Sequence, residues 1–380
     1  MRVVPKFDLP EDHEASSDAP MDIVILGLSI TSSWGNGHAT TYRGLARELT
    51  RRGHSVLFLE RDQPWYRDNR DLPCPPYSRT EIYSSLEDLK GRFTREVRQA
   101  DLVIVGSYVP AGVAIGQWVT SVAQGATAFY DIDTPVTLAN LKQGAVEYIS
   151  YELIPRYDLY LSFTGGPTLD LIEKKHGSPM ARALYCSVDP ELYYPEPAGV
   201  RWDLGYLGTY SDDRQYALDR LMIEPARRWK QGRMIVAGPQ YPKTIQWPSN
   251  IKRVIHLNPA DHRAFYNAQR FTLNITRADM IAAGYSPSVR LFEAAACATP
   301  IISDWWSGLE TIFEPGEEIL IAHDAEDSLD YLRRLPEEIR VETGLRARAR
   351  VMAAHTAAHR AAELETHALA ALMNKSSMRV

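Results

Sequence analysis

Read from Met21 onward, the chain alternates short apolar runs with amphipathic stretches almost without interruption. "MDIVILGLSI" leads into a glycine-bearing loop and a helix predicted from Thr40 to Arg52, closed by Gly53. "SVLFLE", ending at Glu60, follows, then a helical stretch over 86–98, "DLVIVGSY" from Asp101 and a helix near 113–123. "ATAFYDID" from Ala126, "DLYLSFTG" from Asp158 and "ALYCSV" from Ala183 read as further strands. These strands are continuously apolar rather than alternating, and helices separate them. That is the signature of a parallel sheet covered on both faces.

The pattern stops at the proline-rich "DPELYYPEPAG" and then resumes. "DLGYLGTY" from Asp203, a helix through Trp229, "RMIVAG", "IKRVIHL", "FTLNIT", "PIISD" and "EILIA" form a second series, and the tail from Pro336 is helical. The expected architecture is α/β: two doubly wound, Rossmann-like domains in tandem with a ligand cleft between them. The divisions expected are a disordered leader over 1–20, a first domain over 21–190, a linker over 191–200 and a second domain over 201–345. The terminal helix, over 346–380, comes last.

Composition narrows the class. With 45% hydrophobic and 24% charged residues the chain is an ordinary globular protein. Its formal charge of −6 gives no reason to expect a nucleic-acid partner. The three cysteines, Cys74, Cys186 and Cys297, have no metal-ligand spacing and suit a reducing compartment. No run reaches membrane-span length, and the first twenty residues lack the apolar core of a signal peptide. A cytoplasmic protein is expected, with no integral membrane segment. Arg346, Arg348, Arg350 and Arg360 read either as a solvated helix face or as a peripheral contact with an anionic membrane.

The candidate chemistry lies at strand ends. The loop Gly35-Asn36-Gly37 after the first strand allows close backbone approach on the acceptor side, and His38 opens the next helix. His38 is either a local backbone partner or an acceptor contact or general base. Glu60 imitates the ribose-binding acid of a dehydrogenase, but the glycines here do not spell the dinucleotide fingerprint. In "FYDIDTP", Asp131 and Asp133 could cap the following helix, hold a metal in a D-x-D pair, or face the cleft as bases or hydroxyl acceptors. Metal binding is the minority reading. In "YLGTYSDDR", Gly208 permits close approach and Arg214 brings a fixed charge, unless it pairs with Asp212 or Asp213.

"GYSPSVRLFEAAACATPIISD" raises the sharpest question, because it sets Glu293 two turns into an otherwise apolar helix. Ser288 can start that helix, whose free N–H groups attract phosphate. Glu293 then lies roughly 7–10 Å from the helix start, the scale from a diphosphate to the attached ribose. Arg290 either neutralises those phosphates or simply pairs with Glu293 at i, i+3.

"SVRLFEAAACATPIISDWWSGLETIFEPGEEILIAHD", followed by "RARARVMAAHTAAHR", resembles the C-terminal domain of the CgeB-like glycosyltransferases of the GT-B superfamily. "SVDPELYYP" looks like the superfamily's interdomain element, and "GNGHATTYRGLARELTRRGHSVLFLE" like its first loop and helix. The resemblance runs from Met21 to about Leu364. It implies a nucleotide-sugar donor as co-substrate, bound mainly by the second domain, and an acceptor on the first. By that resemblance Glu293 matches the ribose-binding glutamate and Arg214 the diphosphate-binding base. The terminal helix would cross back to brace the first domain. Tyr285 stands where related retaining enzymes carry a second glutamate, and Thr209 stands where they carry a basic residue, leaving Arg290 as the substitute.

The expectation is therefore a nucleotide-sugar-dependent glycosyltransferase that needs neither metal nor other cofactor. Its donor site would comprise Gly208, Thr209, Arg214, Ser288, Arg290 and Glu293, with His256 and Leu257 at the base-binding edge. His38, Asp131 and Asp133 are the candidate bases. An epimerase-like enzyme of the same fold, and a non-catalytic carbohydrate-binding or coat protein, are the alternatives. Donor sugar, acceptor and oligomeric state leave no mark that separates them.

Overall fold

The computed structural model describes residues 19–34 and 37–377. Gly35 and Asn36, and all but the last two residues of the expected leader, lie outside the described residues.

Seven strands make the first sheet: β1 (Asp22–Gly27), β2 (Ser55–Arg61), β3 (Arg79–Tyr83), β4 (Leu102–Gly106), β5 (Ala126–Asp131), β6 (Leu159–Ser162) and β7 (Ala181–Ala183). All pair in parallel, in the order β3-β2-β1-β4-β5-β6-β7. The second sheet has six: β8 (Trp202–Leu207), β9 (Met234–Ala237), β10 (Ile251–Val254), β11 (Gln269–Asn274), β12 (Ile301–Ser303) and β13 (Leu320–Ile321). It is also parallel, ordered β10-β9-β8-β11-β12-β13. In each sheet the order reverses beside the first strand, β1/β4 and β8/β11. The carboxyl ends of these strands flank the crevice in which such folds bind ligands.

Several expected elements are shorter than their apolar runs. "IKRVIHL" stops as a strand at Val254, leaving His256 and Leu257 in the loop. "ALYCSV" contributes only its first residue to a strand. β3 was not foreseen: "RTEIY" is half charged because it forms a sheet edge, where one side meets solvent. The helix through Trp229 contains a wide turn at Asp219–Ile223, just before Pro225, where proline removes a backbone donor.

Two devices fix the domains relative to each other. The helix Glu337–Ala354 packs on the second domain's Val289–Ala296 helix, and the chain crosses at His355–Thr356. The following helix, Ala357–Ser377, then lies on the first-domain helix His38–Arg51. Glu365 accepts from Arg52 there, and Lys375 Nζ donates to Asp158 at 2.9 Å. Arg346 and Arg350 pair with Glu317 and Glu318, as a solvated face would. Arg360 does not belong to that face: it is buried against His355 and Glu363.

The second device is Tyr285. Its ring lies between Gly166 of the first domain and Gly308 of the second, so close that a Cβ at either would fall within 2.3 and 2.4 Å of the ring. Its carbonyl accepts from Gly165 N–H at 2.9 Å, and Thr164 and Ser286 share a hydroxyl bond of 2.8 Å. Position 285 is a joint between domains.

Candidate active site

The interdomain cleft holds some 850 Å³ of space, open solvent included. Ser33, Gly37 and Thr40 form the first-domain rim. The second domain supplies the loop after β8 (Gly208, Thr209), the loop after β10 (His256, Leu257) and the helix face bearing Val289, Arg290 and Glu293. His262 and Tyr266, on the helix Pro259–Asn267, complete that wall.

Arg290 and Glu293 do not pair with each other. Arg290 is anchored elsewhere: Nε donates to Leu207 O at 2.5 Å, Nη1 to Asn274 Oδ1 at 2.9 Å, and the guanidinium stands over the Tyr206 ring. Nη2 makes no hydrogen bond among the described residues and faces Gly208, where a Cβ would lie 3.1 Å from it. A side chain at 208 would crowd this guanidinium and, more closely, the Tyr206 hydroxyl at 2.7 Å. Ser288 does not cap its helix with its side chain; Oγ donates to the same Asn274 Oδ1 at 2.8 Å.

Glu293 is buried, with its Oε2 accepting from the Tyr266 hydroxyl at 3.0 Å and lying 3.9 Å from His262 Nδ1. Burial, with the nearby Glu293 carboxylate, holds the Tyr193 and Tyr266 phenols well above their ordinary pKa, so they remain donors. The Tyr193 hydroxyl also hydrogen-bonds this carboxylate, so two phenols hold an acid that lines the cleft.

Arg214 does not line the cleft. Its Nη2 donates to the Thr209 carbonyl at 2.6 Å, bracing the loop from behind, and it forms no salt bridge with Asp212 or Asp213 among the described residues. His256 does line the cleft, with Nε2 3.1 Å from Asn258 Oδ1.

The first-domain candidates separate. Asp131 is fully buried: it accepts from Tyr160 Oη at 2.6 Å, Thr137 Oγ1 at 2.9 Å and Asp133 N–H at 3.3 Å. Burial raises its pKa to about 6. With no exposed oxygen it cannot reach an acceptor, and its place is structural. Asp133 is half-buried and takes the Tyr108 hydroxyl at 2.9 Å. His38, also half-buried, lies across the first helix turn from the rim, its ring 6.0 Å from that of Phe163. Burial lowers its pKa, and the charge of Asp133 partly opposes the shift. A histidine so placed is neutral at pH 7 and able to accept a proton. Gly37 is on the rim. No cluster of three or more His, Cys, Asp or Glu side chains suited to a metal ion occurs among the described residues.

Sequence reasoning missed His262, Tyr266 and Asn274. The first two share a helix face at i, i+4, a spacing equally suited to a buried stripe. Asn274 ends an apolar strand, a polar residue where strands of such sheets meet ligands, and that was the available signal.

Residues 214–366 match the family model described as glycosyl transferase-like. No curated protein sequence matches the chain. Among solved structures, the sucrose-phosphate synthase of Thermosynechococcus elongatus is similar with a TM-score of 0.66 at 15% identity, over 92% of this chain and 99% of that one. The HepE protein of Anabaena, in complex with UDP and glucose, gives 0.69 at 12% identity, over 93% and 100%. An alpha-glucosyltransferase in complex with UDP-glucose and DNA containing an abasic site gives 0.69 at 11%, over 92% and 100%. At these identities the likeness is one of fold, and the fold is GT-B. The second domain and the crossing helix accordingly carry a glycosyl transferase-like segment on a two-domain GT-B frame. The protein is a glycosyltransferase.

Proposed function

We propose that this glycosyltransferase takes its sugar from a nucleoside-diphosphate donor seated on the second domain and needs no metal to do so. Within its class we place it with the CgeB-like enzymes, on the resemblance of its C-terminal motif. One observation carries the donor assignment. Arg290 and Glu293 lie one turn apart on one helix and both line the cleft, each anchored by neighbouring groups, and Arg290 Nη2 makes no hydrogen bond among the described residues. The guanidinium arm, with the helix start at Ser288 beside it, meets the diphosphate and offsets the charge that builds as it leaves. The Glu293 carboxylate accepts from the ribose hydroxyls and so positions the donor. His256 and Leu257 border the base. Uridine is the base to test first, because the HepE and alpha-glucosyltransferase structures hold UDP.

On the other side, we assign to His38, between the cleft-lining Gly37 and Thr40, the role of taking the proton from the acceptor hydroxyl, with Asp133 stabilising the imidazolium that results. Anchoring Arg290 to Leu207 and Asn274 means that little side-chain order is lost when the diphosphate arrives.

A thermal-shift panel of uridine, guanosine, adenosine and thymidine diphosphates tests the donor site. A ligand at about a hundred times its Kd adds roughly 2.7 kcal/mol to the folded state. One diphosphate is expected to raise Tm, in EDTA as well as without it. No response to any of the four would overturn the assignment, and a response abolished by EDTA would overturn metal independence.

A further inference from the structure

On the second-domain side of the cleft the loops after β8 and β9 meet, and their backbones touch. Gly208 N–H donates to Ala237 O at 2.9 Å and Tyr210 N–H to Pro239 O at 3.1 Å. A Cβ on Gly238 would fall 2.0 Å from Gly208 O, so only glycine permits that approach. Gly208, Thr209, Gly238 and Pro239 all line the cleft. Arg290 Nη2 reaches the same Gly208, and Thr209 N–H donates to no group among the described residues.

Little in the loop itself keeps it in one shape, because glycine loses more freedom on ordering than any other residue. What holds it comes from the far side of the second loop. Tyr241 Oη donates to Gly208 O at 3.1 Å. The Tyr241 ring is gripped in turn: the Arg253 guanidinium lies over it at 4.0 Å, Trp247 packs edge-on at 5.4 Å and Tyr210 at 5.5 Å. Arg253 also stands over the Trp247 ring at 4.5 Å, and donates Nη1 to Val236 O at 2.9 Å and Nη2 to Gly238 O at 3.0 Å. Its charge is met by aromatic faces and carbonyls, and no carboxylate pairs with it among the described residues. Burial raises the Tyr241 pKa, so the phenol remains a donor at neutral pH. A phenylalanine would fill the same space in this stack. The hydroxyl is what distinguishes the residue, and it ends on a carbonyl of the cleft-lining loop.

We propose that Tyr241 is a positioning residue of the donor site: gripped by Arg253 and Trp247, it fixes the Gly208 carbonyl and so sets the backbone that meets the diphosphate. The ligand in this statement rests on the donor reading above; the fixing of the loop stands on the contacts of Tyr241 itself. A loop held before the ligand arrives loses little freedom on binding, so the hydroxyl acts on affinity without touching the nucleotide.

The test compares the full chain with Tyr241→Phe, which keeps the ring in the stack and removes only the hydroxyl. Lys243→Ala, at an exposed position in the same loop, is the control. Three quantities are read: the Kd of UDP, hydrogen exchange at the Gly208 and Tyr210 amides without nucleotide, and Tm. Losing one hydrogen bond should speed that exchange and weaken UDP binding in Tyr241→Phe, each by about threefold to tenfold. Lys243→Ala should match wild type in all three. Equal UDP affinity in wild type and Tyr241→Phe, whether or not Tm falls, would overturn the proposal, since a stack that only stabilises the domain moves Tm alone. Unchanged exchange at both amides, or a loss as large in Lys243→Ala, would overturn it too. A wild type that binds no UDP, with exchange still faster in Tyr241→Phe, would sink the donor reading and leave Tyr241 as the residue that fixes the loop.

Discussion

Each domain buries a glutamate close to the crevice, and the two are treated oppositely. Glu60 receives three donors from the loop it faces and has no exposed surface. Glu293 is held by the Tyr266 and Tyr193 hydroxyls and lines the cleft. The cost of burying a carboxylate is met by backbone and hydroxyl donors away from the cleft in the first case and by two phenols on the cleft wall in the second. Asp131 and Asp133 repeat the contrast two residues apart, one saturated and fully buried, the other half-buried with a single side-chain donor. Burial alone therefore does not separate a structural acid from a ligand-binding one. Whether the acid lines the cleft does: Glu293 is on its wall, and Glu60 and Asp131 are not.

The contrast can be broken most forcefully at Glu60. Glu60→Ala strands two backbone N–H groups and a hydroxyl, which should cost about 3–5 kcal/mol at roughly 1–3 kcal/mol for each unsatisfied group, partly relieved by water. A fall in Tm on the order of 10 °C is expected. A change within a degree or two in a melting scan would mean that the saturated acid is dispensable.

Asp131 gives a smaller effect with a defined pH signature. Its folded pKa, about 6, is raised above the ordinary 3.8. A raised folded value means that the native state binds the proton more tightly. The stability it confers is present below the unfolded pKa and is lost as pH rises through the folded one. Denaturant melts of wild type should lose stability relative to Asp131→Asn between about pH 4 and pH 6. A flat difference across that window would contradict burial as the cause.

Asp133→Asn should move least. Its charge raises the His38 pKa against the burial that lowers it, so removing the charge should shift the acid limb of kcat/KM towards lower pH while stability stays near wild type. Tyr108 can still donate to the asparagine carbonyl. A limb that moves towards higher pH, or not at all, would remove His38 from the base role.

How much of this was legible beforehand follows the same physics. Both sheets were readable because their inner strands carry mostly apolar residues without alternation, and no tertiary knowledge is needed to see that. The edge strand β3 was not, since half its side chains meet water and its sequence looks like a loop. Glu293 and Arg290 stood out as charges in an apolar helix. Whether they joined each other or faced a cleft depended on Leu207 and Asn274, which come from other strands. Asp131 and Asp133 were indistinguishable in "FYDIDTP" because their difference lies in Tyr160 and Thr137, brought near only by folding. Arg214 looked like a phosphate ligand in sequence, yet its guanidinium turns back onto the Thr209 carbonyl, a choice of rotamer that no pattern encodes.

The most direct test is a calorimetric titration of UDP into wild type and Glu293→Gln. Glutamine keeps an acceptor for Tyr266 but loses the charge that strengthens bonds to the ribose hydroxyls, an interaction worth roughly 1.5–3 kcal/mol. UDP should bind wild type and bind the variant about 10- to 100-fold more weakly, with Tm in the absence of nucleotide nearly unchanged. Equal affinity for the two proteins would show that Glu293, for all its place on the cleft wall, is as structural as Glu60.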